Sequence, residues 1–300
     1  MTTPPPLPAH RDPGDNWAFA SDGTRYWGAF GAAGLLAHDP GRGILLQHRA
    51  AWSHHGGTWG IPGGARHRGE NALDAALREA AEEAGVPAGA VRPEAVHVLD
   101  REIWTYTTVV ARVTRSFEPV AADQESLELA WVPLERVGEL ELHPGFASSW
   151  PALRESLTHR PALVVDAANV VGSVPDGWWR DRAGAAQRLL DRLSGLAARG
   201  IPASALGLPL DAWHPRMTVV LEGVGRAAEG REGVASLHAE GSGDDALVAR
   251  THAYAADGWQ PTVVTSDRGL RARVEDVAVV HGSGWLLRLL EEGEGGAQAS

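Results

Sequence analysis

The sequence predicts two joined domains: a mixed α+β half followed by a doubly wound, parallel α/β half. Three observations carry this. The chain has 300 residues, about twice what a single core ordinarily organises. Hydrophobic residues make up 44% and charged residues 22%, the balance of a folded soluble protein. Strand-like runs surround one helix pattern in the first half but alternate with helix patterns in the second, the signature of a parallel sheet.

Residues 1–15, rich in proline, read as a disordered leader. GAAGLLAHD and GILLQHRA follow, two apolar runs split by Pro40-Gly41, and read as a strand pair with a turn. Thr58 to Gly64, TWGIPGG, reads as a loop with Trp59 packed beneath it. Asn71 is a good helix N-cap and Gly85 a good stop, so a helix is expected between them. EAVHVLDREIWTYTTVVARV supplies two strands, LELAWVPL another, and PGFASSWPALRESL a helix. The break falls at Thr158 to Pro161, giving domains at 16–158 and 161–292. Beyond it, Ala162 to Asp166 reads as a buried strand, Trp178 to Arg199 as one long helix, and MTVVLEG as a strand. Arg226 to Gly243 reads as a polar loop, Asp244 to Ala256 as a helix, PTVVTSD and VAVVHG as strands with a helix between, and then comes a last helix. Residues 293–300 read as a disordered tail.

Composition narrows the chemistry. Cysteine is absent, which removes disulfides, thiolate nucleophiles and cysteine-held zinc. A metal site must then use oxygen or histidine, which favours Mg²⁺ or Mn²⁺. All 27 basic residues are arginine, so no Schiff-base or phosphate-loop lysine exists. Net charge is −11, and residues 1–150 and 151–300 carry 12 and 15 arginines against 19 acids each. Neither half resembles a non-specific duplex-DNA binder. No apolar run approaches the roughly 18 residues of a membrane span, and the N-terminal region lacks an apolar signal core. A cytoplasmic protein without membrane partners is expected; the sequence sets no oligomeric state.

The informative segment is Gly64-ARHRG-Glu70-NALDAAL-Arg78-Glu79-AA-Glu82-Glu83-A-Gly85-Val86. At about 100° per residue, Leu73, Leu77, Ala80 and Ala84 share one stripe, and Glu79, Glu82 and Glu83 lie roughly 140° away. Two such charges about 4 Å apart cost on the order of 4 kcal/mol at an effective dielectric of 20. In a cleft, a hard divalent cation relieves that repulsion, bridges phosphate oxygens and polarises water.

This segment is similar to the signature of the Nudix hydrolases: glycine, five residues, glutamate, seven residues, Arg-Glu, an aliphatic, any residue, Glu-Glu, any residue, glycine, aliphatic. One position departs, Ala80 being smaller than usual. The resemblance spans about Trp27 to Leu157. It implies an α/β/α Nudix fold with a mixed sheet between helices. It also implies hydrolysis of a nucleoside diphosphate linked to another moiety, with Mg²⁺ on Glu79, Glu82 and Glu83, one of which also orients or deprotonates water. Arg78 would orient a glutamate, Glu70 would support the loop, and a carbonyl near Gly63 or Gly64 would complete the metal shell. Glu125 and Glu128 stand where the family sometimes keeps a further acid.

In the second half, acids gather at predicted strand ends, where α/β sheets place their sites. Asp166 and Glu222 end strands, Asp244 and Asp245 open a helix as metal ligands or N-cap, and Asp267 ends a strand or caps the next helix. Together they suit one or two divalent ions acting on a phosphodiester. LVVDAANVVGS with GDDALVARTHAYAADGWQPTVVTSDRGLRARV resembles the NYN branch of the PIN-like nuclease fold, over about Pro161 to Leu290. The resemblance implies metal at Asp166, Asp244 and Asp267 for cleavage of single-stranded RNA, with Asn169 and Ser266 nearby. It departs at DAAN, where Asp-Gly usually precedes the asparagine, and at Glu222, where Asp is commoner. Trp178 and Trp179 offer a base-stacking surface or helix-start packing; His54 and His55 read as solvated. The alternative to two enzymes is an RNA-processing protein in which one half only binds nucleotide or RNA.

Overall fold

The computed structural model describes residues 12–53, 55–121, 126–175 and 178–297. The chain divides into two compact units, Met1–Leu157 with Gly207–Ala212, and Thr158–Leu206 with Trp213–Ser300.

The first unit opens with a hairpin of β1 (Trp17–Phe19) and β2 (Arg25–Trp27), which the sequence reading missed because each strand has three residues. Residues 12–15, expected in the leader, are instead tied down. The Asp12 carboxylate accepts the Gly14 and Arg68 N–H groups, and the Gly14 carbonyl accepts the Ala29 N–H. Strands β3 (Ala32–Asp39) and β4 (Gly43–Arg49) are the anticipated pair. They pair only at His38–Ile44 and Asp39–Gly43, then diverge. The divergence admits β5 (Trp59–Gly60) beside β4 and β6 (Gly63–Ala65) beside β3, within the segment read as loop. Helix α1 (Ala72–Ala84) follows, then β7 (Val91–Asp100), β8 (Thr105–Val113), β9 (Ser126–Val132) and α2 (Pro144–Ser156). The sheet runs β7-β8-β3-β4-β5, with β9 on β4. It is mixed, β3 and β8 being parallel and β7 and β8 antiparallel.

Helix α1 ends where its caps dictate. The Asn71 side chain accepts the Asp74 N–H, and Gly85 takes φ 64°, a left-handed turn that glycine adopts without strain. Its buried face differs from the expected stripe. Ala75, Ala76, Ala80 and Ala84 are buried with Leu35 and Leu45, while Leu73 and Leu77 are only partly covered. Alanine is the best helix former and lets the helix lie close to β3, so the small Ala80 belongs to the packing.

The second unit contains β10 (Pro161–Asp166), α3 (Ala167–Gly172), α4 (Arg182–Arg199), β11 (Ile201–Pro202) and α5 (Ala203–Leu206). After β12 (Ala212–Trp213) come β13 (Arg216–Leu221), β14 (Val234–His238), α6 (Gly243–Ala256), β15 (Gln260–Val264), α7 (Arg268–Ala272), β16 (Val279–His281) and α8 (Ser283–Ala297). The five long-range strands pair in the order β14-β13-β10-β15-β16, all parallel. Chain order reverses beside β10, so the sheet is doubly wound. Separate apolar clusters fill its two faces: Leu190 and Leu193 of α4 with Leu286 and Leu290 on one, Leu247 and Tyr254 of α6 with Val263 on the other.

Four expectations need correction here. The helix expected over Trp178 to Arg199 is interrupted at Asp181, whose φ of −143° breaks it and whose carboxylate caps α4. The polar loop expected over Arg226 to Gly243 holds β14, which pairs with the edge of β13 despite its short apolar run. Residues 293–297, expected in the tail, lie within α8, although three of the five are glycine, the poorest helix former after proline. Gly207–Ala212 belongs with the first unit, where the Asp211 carboxylate accepts the Val98 N–H at 2.7 Å and the Asp211 N–H donates to the Val96 carbonyl.

Candidate active site

The Gly63–Ala65 strand and α1 bring the predicted glutamates together. Arg78 is their hub. Its Nε and Nη2 donate to the two Glu70 oxygens at 2.9 Å each, its Nη1 to Glu79 at 2.7 Å and to Glu82 at 3.1 Å, and Nη2 also to the Ala65 carbonyl. Glu70 in turn accepts the His67 N–H, closing the loop that leads into α1. The Arg78 hydrogen bonds hold the Glu70 carboxyl down at about 2, and Glu70 raises the Arg78 guanidinium above its ordinary range.

The three helix glutamates are not one solvated sector. Glu82 is 59% exposed, Glu79 only 13% and Glu83 7%. Glu83 Oε2 accepts the Gly63 N–H at 2.9 Å. Glu79 lies over Gly64, where a Cβ would stand 2.6 Å from its Oε2. Burial raises the Glu79 carboxyl, against the lowering effect of Arg78. Arg78 therefore already supplies countercharge that sequence reasoning assigned to a cation alone.

In the second unit the C-terminal strand edge gathers part of the predicted set. Asp166 caps α3 through the Asn169 N–H, and its other oxygen accepts the Thr265 hydroxyl at 3.0 Å. Burial raises the Asp166 carboxyl, and the charges of Asp244 and Glu222 add to this. Glu222 accepts the Gly243 N–H at 3.0 Å, and the Asn169 Oδ1 accepts the Ser266 N–H at 2.9 Å. Other members turn elsewhere. Asp245 pairs with Arg273 at 2.6 Å, and Asp267 caps α7 through the Leu270 N–H. Neither Asp244 nor Asp245 is the N-cap of α6, since Ser242 fills that role. Thr265, which sequence reasoning missed, joins Asp166 to the Asp267 N–H. Only the pairing of β10 with β15 reveals it.

Among the described residues no three His, Asp or Glu side chains meet as a preformed cage. The reason is visible at each position. Arg78, backbone N–H groups, Thr265 and Arg273 hold the carboxylates in hydrogen bonds. Glu128 faces His48 across the β4–β9 pair, and Glu125 and His54 lie outside the described residues.

Residues 29–155 match the NUDIX domain model. The protein called 8-oxo-dGTP diphosphatase 3 in Mycobacterium tuberculosis is 47% identical over 154 residues, covering 48% of this chain and 70% of that protein. The chain belongs to the Nudix hydrolase family. A nucleoside triphosphate pyrophosphatase/Nudix hydrolase fusion protein of Bifidobacterium longum is 41% identical over 160 residues, 49% of this chain and 32% of that one. The crystal structure of a Nudix hydrolase from M. smegmatis, RenU, shares 48% identity, covering 48% of this chain and 95% of that one, with a TM-score of 0.43.

The Nudix half is thus that of an enzyme hydrolysing phosphorus-containing acid anhydrides. Its donor set fits a hard divalent cation in chemistry. Glu79, Glu82 and Glu83 offer only oxygen, and Glu79 is a carboxylate made costly by burial, above a glycine without a side chain. The described residues contain no helix long and apolar enough to cross a membrane.

Proposed function

We propose that the Nudix half hydrolyses the pyrophosphate linkage of a nucleoside diphosphate derivative with Mg²⁺ or Mn²⁺. Oxidised purine nucleoside triphosphates are the first class to test, in keeping with the name of the M. tuberculosis relative. The observation that carries this reading is the Glu70–Arg78–Glu79 clamp, which fixes a buried carboxylate over Gly64 beside Glu82 and Glu83. The cation, held by Glu79, Glu82 and Glu83, would polarise phosphate oxygens and water. Water adds to phosphorus, the bond from phosphorus to the bridging oxygen breaks, and the proton lost by water passes to one of these glutamates. Arg78 keeps Glu79 oriented, and the Gly63 N–H does the same for Glu83.

The deciding experiment measures phosphate, pyrophosphate and mononucleotide release from dinucleotides, nucleotide sugars, oxidised nucleoside triphosphates and capped RNA. Glu82→Gln and Glu83→Gln should keep the fold and lower turnover by orders of magnitude; unchanged turnover refutes the reading.

A second reading concerns the other unit, taken as a PIN-like domain that cleaves single-stranded RNA with Mg²⁺ or Mn²⁺. It is favoured by the position of Asp166 at the C-terminal end of β10, where strand order reverses, with Glu222 and Asp244 close enough to raise it. Labelled RNA incubated with full-length protein and with Asp166→Asn decides it. Absence of metal-dependent cleavage leaves this unit a binding module.

A further inference from the structure

Tyr106 of β8 is a half-buried residue whose phenol the proposed chemistry has not used. Its ring meets Trp104 in a tilted contact, the two planes 41° apart. Trp104 lies 6.1 Å away, stacks on Tyr26 at 4.9 Å, and donates its Nε1–H to the Trp27 and Gly28 carbonyls. Its hydroxyl sits in a notch made by two glycines on neighbouring strands. A Cβ on Gly34 of β3 would stand 2.2 Å from the phenol oxygen, and one on Gly63 of β6 would stand 2.8 Å from it. Glycine weakens a strand interior, and its use there marks a close approach. A phenylalanine would fill the same ring space without needing the notch.

The surroundings of that hydroxyl define its partner. Gly63, against which it lies, donates its N–H to Glu83 Oε2. Burial raises the phenol, the charges of Glu83 and Glu79 adding to this and that of Arg49 opposing it. A phenol is neutral at working pH in any case, and its O–H donates. A neutral donor against the glycine that anchors Glu83, at the edge of a carboxylate cluster, is complementary to an anionic oxygen.

We propose that Tyr106 contacts the substrate, its hydroxyl donating to a non-bridging phosphate oxygen of the phosphoryl group held next to Glu83. This rests on the Nudix reading above and adds a residue that the helix motif does not contain.

Tyr106→Phe in the full-length protein tests it, with Glu83→Gln alongside. Two quantities are read: kcat/KM for whichever nucleotide the wild type cleaves, and the Kd of an α,β-methylene nucleoside triphosphate by calorimetry with Mg²⁺. Tyr106→Phe should lower kcat/KM by about ten- to a hundredfold, as expected for losing a hydrogen bond to a charged group, and weaken the analogue, without lowering Tm. Wild-type kcat/KM and analogue affinity in Tyr106→Phe overturn the proposal while Glu83→Gln remains inactive. A lowered Tm with intact kinetic constants assigns the hydroxyl to packing and also overturns it. A wild type that neither cleaves nor binds any nucleotide overturns the Nudix reading and this inference together.

Discussion

Arg78 uses three nitrogens to reach Glu70, Glu79, Glu82 and the Ala65 carbonyl. A lysine has the charge but not the fork. Arg78→Lys should therefore cost about 1–3 kcal/mol of stability and lower turnover at least tenfold, measured by thermal melting and pyrophosphate release; wild-type values for both would show that the clamp is dispensable. Gly64→Ala tests the close approach of loop and helix. The added Cβ would stand 2.6 Å from the Oε2 of Glu79, which Arg78 holds, so turnover and Tm should both fall; unchanged values for both would show that Glu79 moves aside freely. A third residue sets the acid limit. His38 is buried, its Nδ1 has no hydrogen-bond partner among the described residues, and burial holds it down at about 4. The unfolded chain takes up this proton near 6.5 and the folded chain only near 4, so the stability present above 6.5 is lost as pH falls through that window, by up to about 3 kcal/mol. The urea midpoint should drop between pH 7.5 and pH 5 in the wild type and less in His38→Gln; parallel drops would acquit His38.

At the scale of elements, α1 was readable end to end because its signals are local: Asn71, Gly85 and the glutamate spacing need no tertiary partner. What the sequence did not reveal depends on partners far along the chain. Glu83 became buried because Gly63, twenty residues earlier, presents its N–H. Thr265 reaches Asp166 only because β10 and β15 are neighbours. Strand β14 and the β1–β2 hairpin have too few residues for a periodic pattern to show. Gly85→Ala forces a side chain into φ 64° and should cost about 1 kcal/mol, lowering Tm; an unchanged Tm would mean that the helix end relaxes freely.

At the scale of the whole molecule, each unit has its own apolar clusters and its own acidic edge. Glu83→Gln in the full-length chain should therefore abolish pyrophosphate hydrolysis and leave any RNA cleavage unaltered, and Asp166→Asn should do the reverse. A single substitution that silences both would show that one site serves both reactions. The parallel sheet of the second unit was legible because alternation of strands with helices is a property of long segments. The return of Gly207–Ala212 to the first unit was not, since it rests on Asp211 meeting the backbone of Val96 and Val98, far back along the chain.

The early parting of β3 and β4 has a last consequence. A hairpin that stays zipped buries its own edges; this one is pried open by the Trp59–Ala65 wedge. Shortening that wedge should let the two strands close along their length and erase the glycine floor beneath the glutamates. The glycine floor is therefore an interruption in a ladder, kept open by the chain that forms it.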